Sequence, residues 1–437
     1  MIKKIPIEGL KTGMYISGLE ENAPGEMLSF MNSILIKDEI EIDRLRSKGY
    51  VSAYIVEDDP QPLPLKTTRV DDPVSSRAET ECPPQEAGEA SVEPPLVVEA
   101  VPPLDAPVTK AAPSSAGDPV DFYEELKDAR KVRNEAEDLV RDFMHSVRAG
   151  EEIETGRVNE TVGKMVDSIF RNQDALTSLA RLKSFDDYTF AHSVNVCILS
   201  LTLGRHMGLS GSALHNLGVG AILHDIGKML VPETILKKPG ALSDAEFREM
   251  KRHTELGGDI LCRTKDITDE SRRITLHHHE KFDGSGYQDR LSGNDIHLFA
   301  RIATVADVYD AMTSNRVYQK GMLPEVALKK MYLMRGTHFD PVLVERLIRS
   351  LGIYPIGSFV ELSTGELAVV RMPNHEHPLQ PLVLIFSRKD KTPYEKPVEV
   401  DLKGEIGRWI IAARDPGPLK PVIDRIMAEA EGLSFAS

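Results

Sequence analysis

The chain has 437 residues and a mass of 48.5 kDa, too long for one compact core and matched to two or three domains. Fifty-three basic against 68 acidic residues give a net charge of −15 and a pI near 5.4, which excludes nucleic-acid binding through bulk charge but leaves room for a local basic pocket. Cys82, Cys197 and Cys262 are odd in number and share no CxxC spacing, so we expect a reducing compartment, no disulfide framework and no thiolate zinc site.

The start has no apolar run of secretory length, and no stretch of about 18 uncharged apolar residues occurs, so a soluble, cytoplasmic protein without a membrane span is expected. Residues 1–59 read as a small α+β adaptor or sensor module. Met14 to Ile16 and Ser33 to Ile36 look like strands, Asp38 to Lys48 like a short helix stopped by Gly49, and Tyr50 to Val56 like another strand. Residues 60–119 hold 13 of the 28 prolines and ten acids against four bases, the composition of a disordered, partly extended linker. Cys82 inside it is expected to be an exposed thiol of no special role.

Residues 120–350 turn helical. Glu124 to Ala149 sets Val132, Ala136, Leu139, Phe143 and Val147 on one face, a stripe that invites a homodimer. Helical segments are predicted near 157–180, 190–207, 210–228, 243–262, 267–280, 297–314 and 324–335, and Ser243 with Glu246 forms a capping box. Residues 351–437 read as a small β-rich extension, with a hairpin from Phe359–Leu362 to Glu366–Val370 and a third strand at Leu382–Phe386. The fold class is therefore mainly α.

The chemistry gathers in the helical part. His224-Asp225 is followed by Gly227 and Lys228; His253, the run His277-His278-His279-Glu280 and Asp307 come after. Imidazoles and carboxylates without thiolates suit first-row transition metals of intermediate hardness. A carboxylate bridges two cations where an imidazole cannot, so adjacent His and Asp suggest a terminal ligand and a bridge. A lone helical histidine is usually structural, so it is the coincidence of these motifs that points to a metal site. On a continuous helix Lys228 shares the face of His224 at i+4, where it offers a charge to a phosphate oxygen or sits as a solvated helix-end lysine. Gly284-Ser285-Gly286-Tyr287 suits a loop passing close to a ligand.

Tyr188 to Ser193, His224 to Lys228, His278 to Tyr287 and Ala300 through Asp307, Asp310 and Arg316 to Tyr318 together resemble the HD-GYP phosphodiesterases of the HD superfamily, over about residues 180–350. That resemblance implies an all-α HD-type domain hydrolysing the bacterial second messenger cyclic di-GMP to linear pGpG and, with a second cut, GMP. The N-terminal module resembles, more weakly, a domain of unknown function that precedes HD-GYP in some bacterial proteins. Carried over, the metal ligands are His192, His224, Asp225, His253, His278, His279 and Asp307. With Asp225 as bridge, one metal would take His192, His224, Asp225 and Asp307, the other Asp225, His253, His278 and His279.

Tyr188 stands where some relatives have a Glu that supports a third metal, so two divalent ions are expected, iron or manganese by resemblance. A hydroxide shared by the pair would attack in line with the departing 3′ oxygen. Asp225 and Lys228 would be catalytic, and Lys228, Gly286, Tyr287 and Arg316 would bind substrate, Arg316 on the non-scissile phosphate. Asp310 would hold a ligand histidine, and His277 would stand behind the ligands. Gln288 replaces the Pro of the family motif, and Gln319 a position often basic. GGDEF-type or other signalling proteins are the implied partners. Two rival readings stay open, a nucleotide sensor or partner-docking module without turnover, and an HD phosphohydrolase with another nucleotide substrate.

Overall fold

Two units divide the chain, Met1–Glu81 and Cys82–Ser437. The computed structural model describes residues 2–11, 15–21, 27–35, 50–56, 120–180, 188–314, 321–405 and 407–430. In the first unit β1 (Ile2–Pro6), β2 (Tyr15–Glu21), β3 (Met27–Leu35) and β4 (Tyr50–Val56) pair antiparallel in the order β1-β4-β2-β3. β1, which the sequence reading did not name, sets Ile2 opposite Val56 and Ile5 opposite Ala53. The helix expected over 38–48, the linker 60–119 and Cys82 lie outside the described residues.

The second unit is mainly helical, as expected. It opens with α1 (Phe122–Ala149), α2 (Thr155–Arg171), α3 (Gln173–Leu179), α4 (Tyr188–His206) and α5 (Gly211–Leu223). The predicted segment 157–180 is thus two helices. Asn172 breaks it, with extended backbone and a side chain that accepts from the Asp174 and Ala175 amides at the start of α3. The apolar stripe of α1 is buried inside its own chain, where α1 packs on α2, α3 and α4. That removes the argument for a dimer drawn from the stripe.

A 3-10 turn (Ile226–Leu230) and the short α6 (Glu233–Leu236) follow, then α7 (Asp244–Lys251), α8 (His253–Arg263) and α9 (Asp269–His277). The segment expected as one helix over 243–262 bends at Arg252. The capping box that starts α7 is present, the Ser243 hydroxyl accepting from the Glu246 amide and the Glu246 carboxylate from the Ser243 amide. α10 (Leu298–Thr313), α11 (Pro324–Leu333) and the unexpected α12 (Pro341–Leu351) complete the helical part. α5, buried along almost its whole length, runs through the middle and packs on α4 and α9, while α10 packs on α4.

The chain ends in a five-stranded antiparallel sheet rather than three strands. β5 (Phe359–Leu362), β6 (Leu367–Met372), β7 (Leu382–Ser387), β8 (Pro393–Asp401) and β9 (Ile410–Ala413) lie in the order β8-β7-β6-β5-β9, followed by α13 (Lys420–Ala430). Alternate residues feed two cores, Val360, Val370 and Ile385 on one side and Phe359, Val369 and Leu384 beneath Ile423 and Ile426 of α13 on the other. His375 joins this sheet to α3 through Asp174 at 3.1 Å. Cys197 is a free, buried thiol. No helix among the described residues is long and apolar enough to cross a membrane.

Candidate metal centre

Helix ends hold most of the expected ligands. His224 is the residue on which α5 stops, Asp225 opens the 3-10 turn, His253 is the first residue of α8, and His278 follows the last residue of α9. A helix end leaves carbonyls without an amide partner. Three imidazoles bond carbonyls of these last turns, most of them shared with a capping amide. His224 Nδ1 donates to Ala221 O at 2.8 Å, His253 Nδ1 to Met250 O at 2.8 Å, and His278 Nδ1 to Ile274 O and Thr275 O, each at 3.1 Å. A carbonyl only accepts, so each Nδ1 carries a proton and each Nε2 is aimed inward. His192, inside α4, is turned the same way by Asp310 of α10, whose Oδ2 lies 2.7 Å from Nδ1. Asn195, one turn along α4, donates to the other Asp310 oxygen at 3.0 Å.

The inward atoms form three groups, each within 4.8 Å: His192, His224 and Asp307; His253, His278 and His279; and His224, Asp225 and His278. Asp225 spans them. Its Oδ2 faces His224 Nε2 at 3.2 Å and His192 Nε2 at 3.8 Å, and its Oδ1 faces His253 Nε2 at 3.4 Å and His278 Nε2 at 3.7 Å. His192 Nε2 lies 3.1 Å from Asp307 Oδ1. Of the expected seven, all come together.

The donor chemistry fits cations. His224 Nε2 and Asp225 Oδ1 are buried with no hydrogen-bond partner, a costly arrangement unless a cation meets them. His253 Nε2 and His278 Nε2 stand 3.4 Å apart, with the Nδ1 of each ring already turned to a carbonyl. Burial pushes the His253 imidazole down to about 3 and His279 well below its ordinary range, so both are neutral at pH 7. Burial also works against charging the Asp225 carboxyl, but Lys228 and His224 beside it hold it well below the usual carboxylate range. His192 differs. Burial disfavours its charged form, yet Asp307 and Asp310 on its two nitrogens raise it to about 9, and a cation bound there would take the place of that proton.

Lys228 is not where a continuous helix would set it. α5 has ended at Leu223, and Lys228 lies on the 3-10 turn with its ammonium 2.5 Å from Asp225 Oδ2. The turn is pressed against α8 so closely that a Cβ on Gly227 would stand 1.9 Å from His253 O. In the Gly-Ser-Gly-Tyr segment, a Cβ on Gly286 would meet Lys281 N at 2.4 Å, so the glycine serves the loop's own closure. Tyr287 leans on His279 with ring centres 4.9 Å apart. Gln288 accepts from the Thr254 hydroxyl at 3.2 Å, and His277 bonds Asp289 at 2.9 Å. Arg316 and Gln319 lie outside the described residues.

The sequence reading missed Glu280 as an anchor: its Oε1 accepts the Asp289 and Arg290 amides at 2.6 and 2.8 Å and ties down the loop that carries Tyr287. It also missed Asn195 and Thr304, whose hydroxyl donates to His278 O at 2.8 Å. The only signal for Asn195 was its place three residues after His192.

A family described as HD domain matches residues 165–343, which contain all seven of these side chains. A domain of unknown function (DUF3391) matches residues 2–158, and a KOW domain associated with HD domain matches residues 359–420. A cyclic di-GMP phosphodiesterase of Pseudomonas aeruginosa is 34% identical over 403 residues, 92% of this chain and 89% of that protein. The cyclic di-GMP phosphodiesterase response regulator RpfG of Xanthomonas campestris is 38% identical over 181 residues, 41% of this chain and 48% of its own. A 3′3′-cGAMP-specific phosphodiesterase of Vibrio cholerae is 35% identical over 195 residues, 44% of this chain and 37% of that protein. Similarity that runs through nearly the whole of both chains, with the HD match laid over the imidazole–carboxylate cluster, identifies this chain as a member of the HD-GYP family of HD-superfamily phosphodiesterases.

Proposed function

We propose that the chain cleaves cyclic di-GMP to linear pGpG, and to GMP where a second bond is cut, at a centre of two divalent transition ions, iron or manganese. The observation that carries this reading is the convergence of His253 Nε2 and His278 Nε2, 3.4 Å apart, on the spanning carboxylate of Asp225. In this reading His192, His224, Asp225 and Asp307 hold one ion, and Asp225, His253, His278 and His279 the other. Such a pair, when bound, supplies acidified water and relief of charge on phosphorus. The relatives named cyclic di-GMP phosphodiesterases support the substrate.

The chain's own residues supply placement. Asp310 and the helix-end carbonyls fix the imidazole planes, so no reorganisation is needed as charge develops. Lys228 shares Asp225 Oδ2 and is placed to meet a phosphate oxygen once an ion takes over that carboxylate. Tyr287 offers a ring face beside His279 for a guanine, Gly286 keeps that loop closed, and Arg316 brings a further cation to the phosphates.

The test is protein loaded anaerobically with Fe²⁺, or with Mn²⁺, incubated with cyclic di-GMP, its products separated by chromatography. Linear pGpG or GMP is expected. Intact nucleotide recovered from protein with both metals bound would falsify the enzymatic reading and leave a sensor. Because one relative is 3′3′-cGAMP-specific, that dinucleotide belongs in the same panel, and faster cleavage of it would reassign the substrate.

A further inference from the structure

α7 ends two residues before His253, and its face carries two side chains that the metal centre does not use. Phe247 and Lys251 stand four positions apart on α7, one above the other. Phe247 is 47% exposed, a large ring left in solvent. The Lys251 ammonium lies 4.8 Å from the centre of the Phe247 ring and 5.1 Å from the centre of the Tyr287 ring. Tyr287 in turn rests on His279. A continuous run therefore leads from an expected metal ligand to a ring, an ammonium and a second ring.

Two ring faces attract an ammonium and fix its position without cancelling its charge. No carboxylate among the described residues pairs with Lys251. What reaches this point from the metal centre thus meets a placed positive charge and, beside it, a flat apolar surface. A phosphate answers the first and a nucleobase the second. A simple phosphodiester bound at the ligands lacks a second phosphate for this charge. A cyclic dinucleotide does not, because its second phosphate and second base are tied to the bond being cut.

We propose, resting on the cyclic dinucleotide reading above, that Phe247, Lys251 and Tyr287 form the site for the half of the substrate that stays away from the metal ligands. Lys251 pairs with that half's phosphate, and Phe247 stacks on its base. The site distinguishes two-phosphate rings from simple diesters, and its residues bind without taking part in bond cleavage.

The experiment compares the full metal-loaded chain with Lys251→Gln, Lys251→Arg and Phe247→Ala, on cyclic di-GMP and on bis(p-nitrophenyl) phosphate, with metal content measured for each. For Lys251→Gln we expect KM for cyclic di-GMP to rise by about tenfold with kcat within about twofold, a loss of uniform binding. Lys251→Arg restores most of it, and Phe247→Ala gives a smaller rise. Turnover of the simple diester and metal content stay at wild-type values. An unchanged KM in Lys251→Gln overturns the proposal, and so does an equal loss on both substrates, which would mean that the substitution had disturbed the neighbouring His253. If the wild type binds cyclic di-GMP but returns it intact, the enzymatic reading fails by itself. The site is then judged by equilibrium dialysis of labelled cyclic di-GMP, with weaker binding to Lys251→Gln supporting it and equal binding overturning it.

Discussion

An aspartate that faces imidazoles with both of its oxygens is the residue on which the centre turns. Asp225 is 2% exposed, and its neighbours approach it from two sides. The sequence made this residue and its six companions visible because the donors are chemically distinctive and come in short motifs. It could not show what aims them. Ala221, Met250, Ile274 and Thr275 act through backbone carbonyls, and any side chain at those positions would leave the same oxygen. Asp310 was legible, being one turn after Asp307, and its contact with His192 gives a prediction. Asp310→Asn should retain the fold and lower metal affinity by about 10–100-fold, as read by competition with a chelator. Unaltered affinity would mean that Asp310 does not orient His192.

At the scale of elements, the places where the sequence reading went astray are the places where the site is built. It ran 210–228 and 243–262 as continuous helices, because periodicity carries on through a break of one or two residues. The structure ends α5 at Leu223 and bends at Arg252, and these interruptions bring His224, Asp225 and His253 to one point. Lys228 was misplaced for the same reason. β8 escaped notice because its outward side chains are polar and it carries Pro393 and Pro397, as suits an edge strand.

The contact between the 3-10 turn and α8 can be tested directly. Gly227→Ala must push the turn off His253 O and Gly257 N. We expect a loss of roughly 1–3 kcal/mol, the usual range for overpacking, together with depleted metal. Gly163→Ala, in α2 with open space around it, should be neutral or stabilising by up to about 1 kcal/mol. Equal melting temperatures for the two variants would contradict the packing account.

Over the whole molecule, histidines outside the centre add a pH dependence. Burial lowers the His206 imidazole from 6.5 to about 4, with Arg346, His375 and Arg349 adding to it, and burial likewise lowers His297 to about 4. The unfolded chain takes up these protons first, so their stabilising contribution is complete above pH 6.5 and is lost as the pH falls through about 4. With metal removed, the melting temperature should drop across that window, and His206→Gln should flatten the drop. A slope unchanged by His206→Gln would remove His206 from the account.

The mainly helical class and the β-rich ends could be read from composition and periodicity, whereas the pairing of β1 and the fourth and fifth strands of the terminal sheet could not, since each depends on partners distant in sequence. The most direct measurement is metal stoichiometry in protein purified without oxygen, wild type beside Asp225→Ala. A spanning carboxylate predicts two transition ions per chain in the first and loss of both in the second. A single ion in the wild type, or a variant that keeps a full complement, would contradict it.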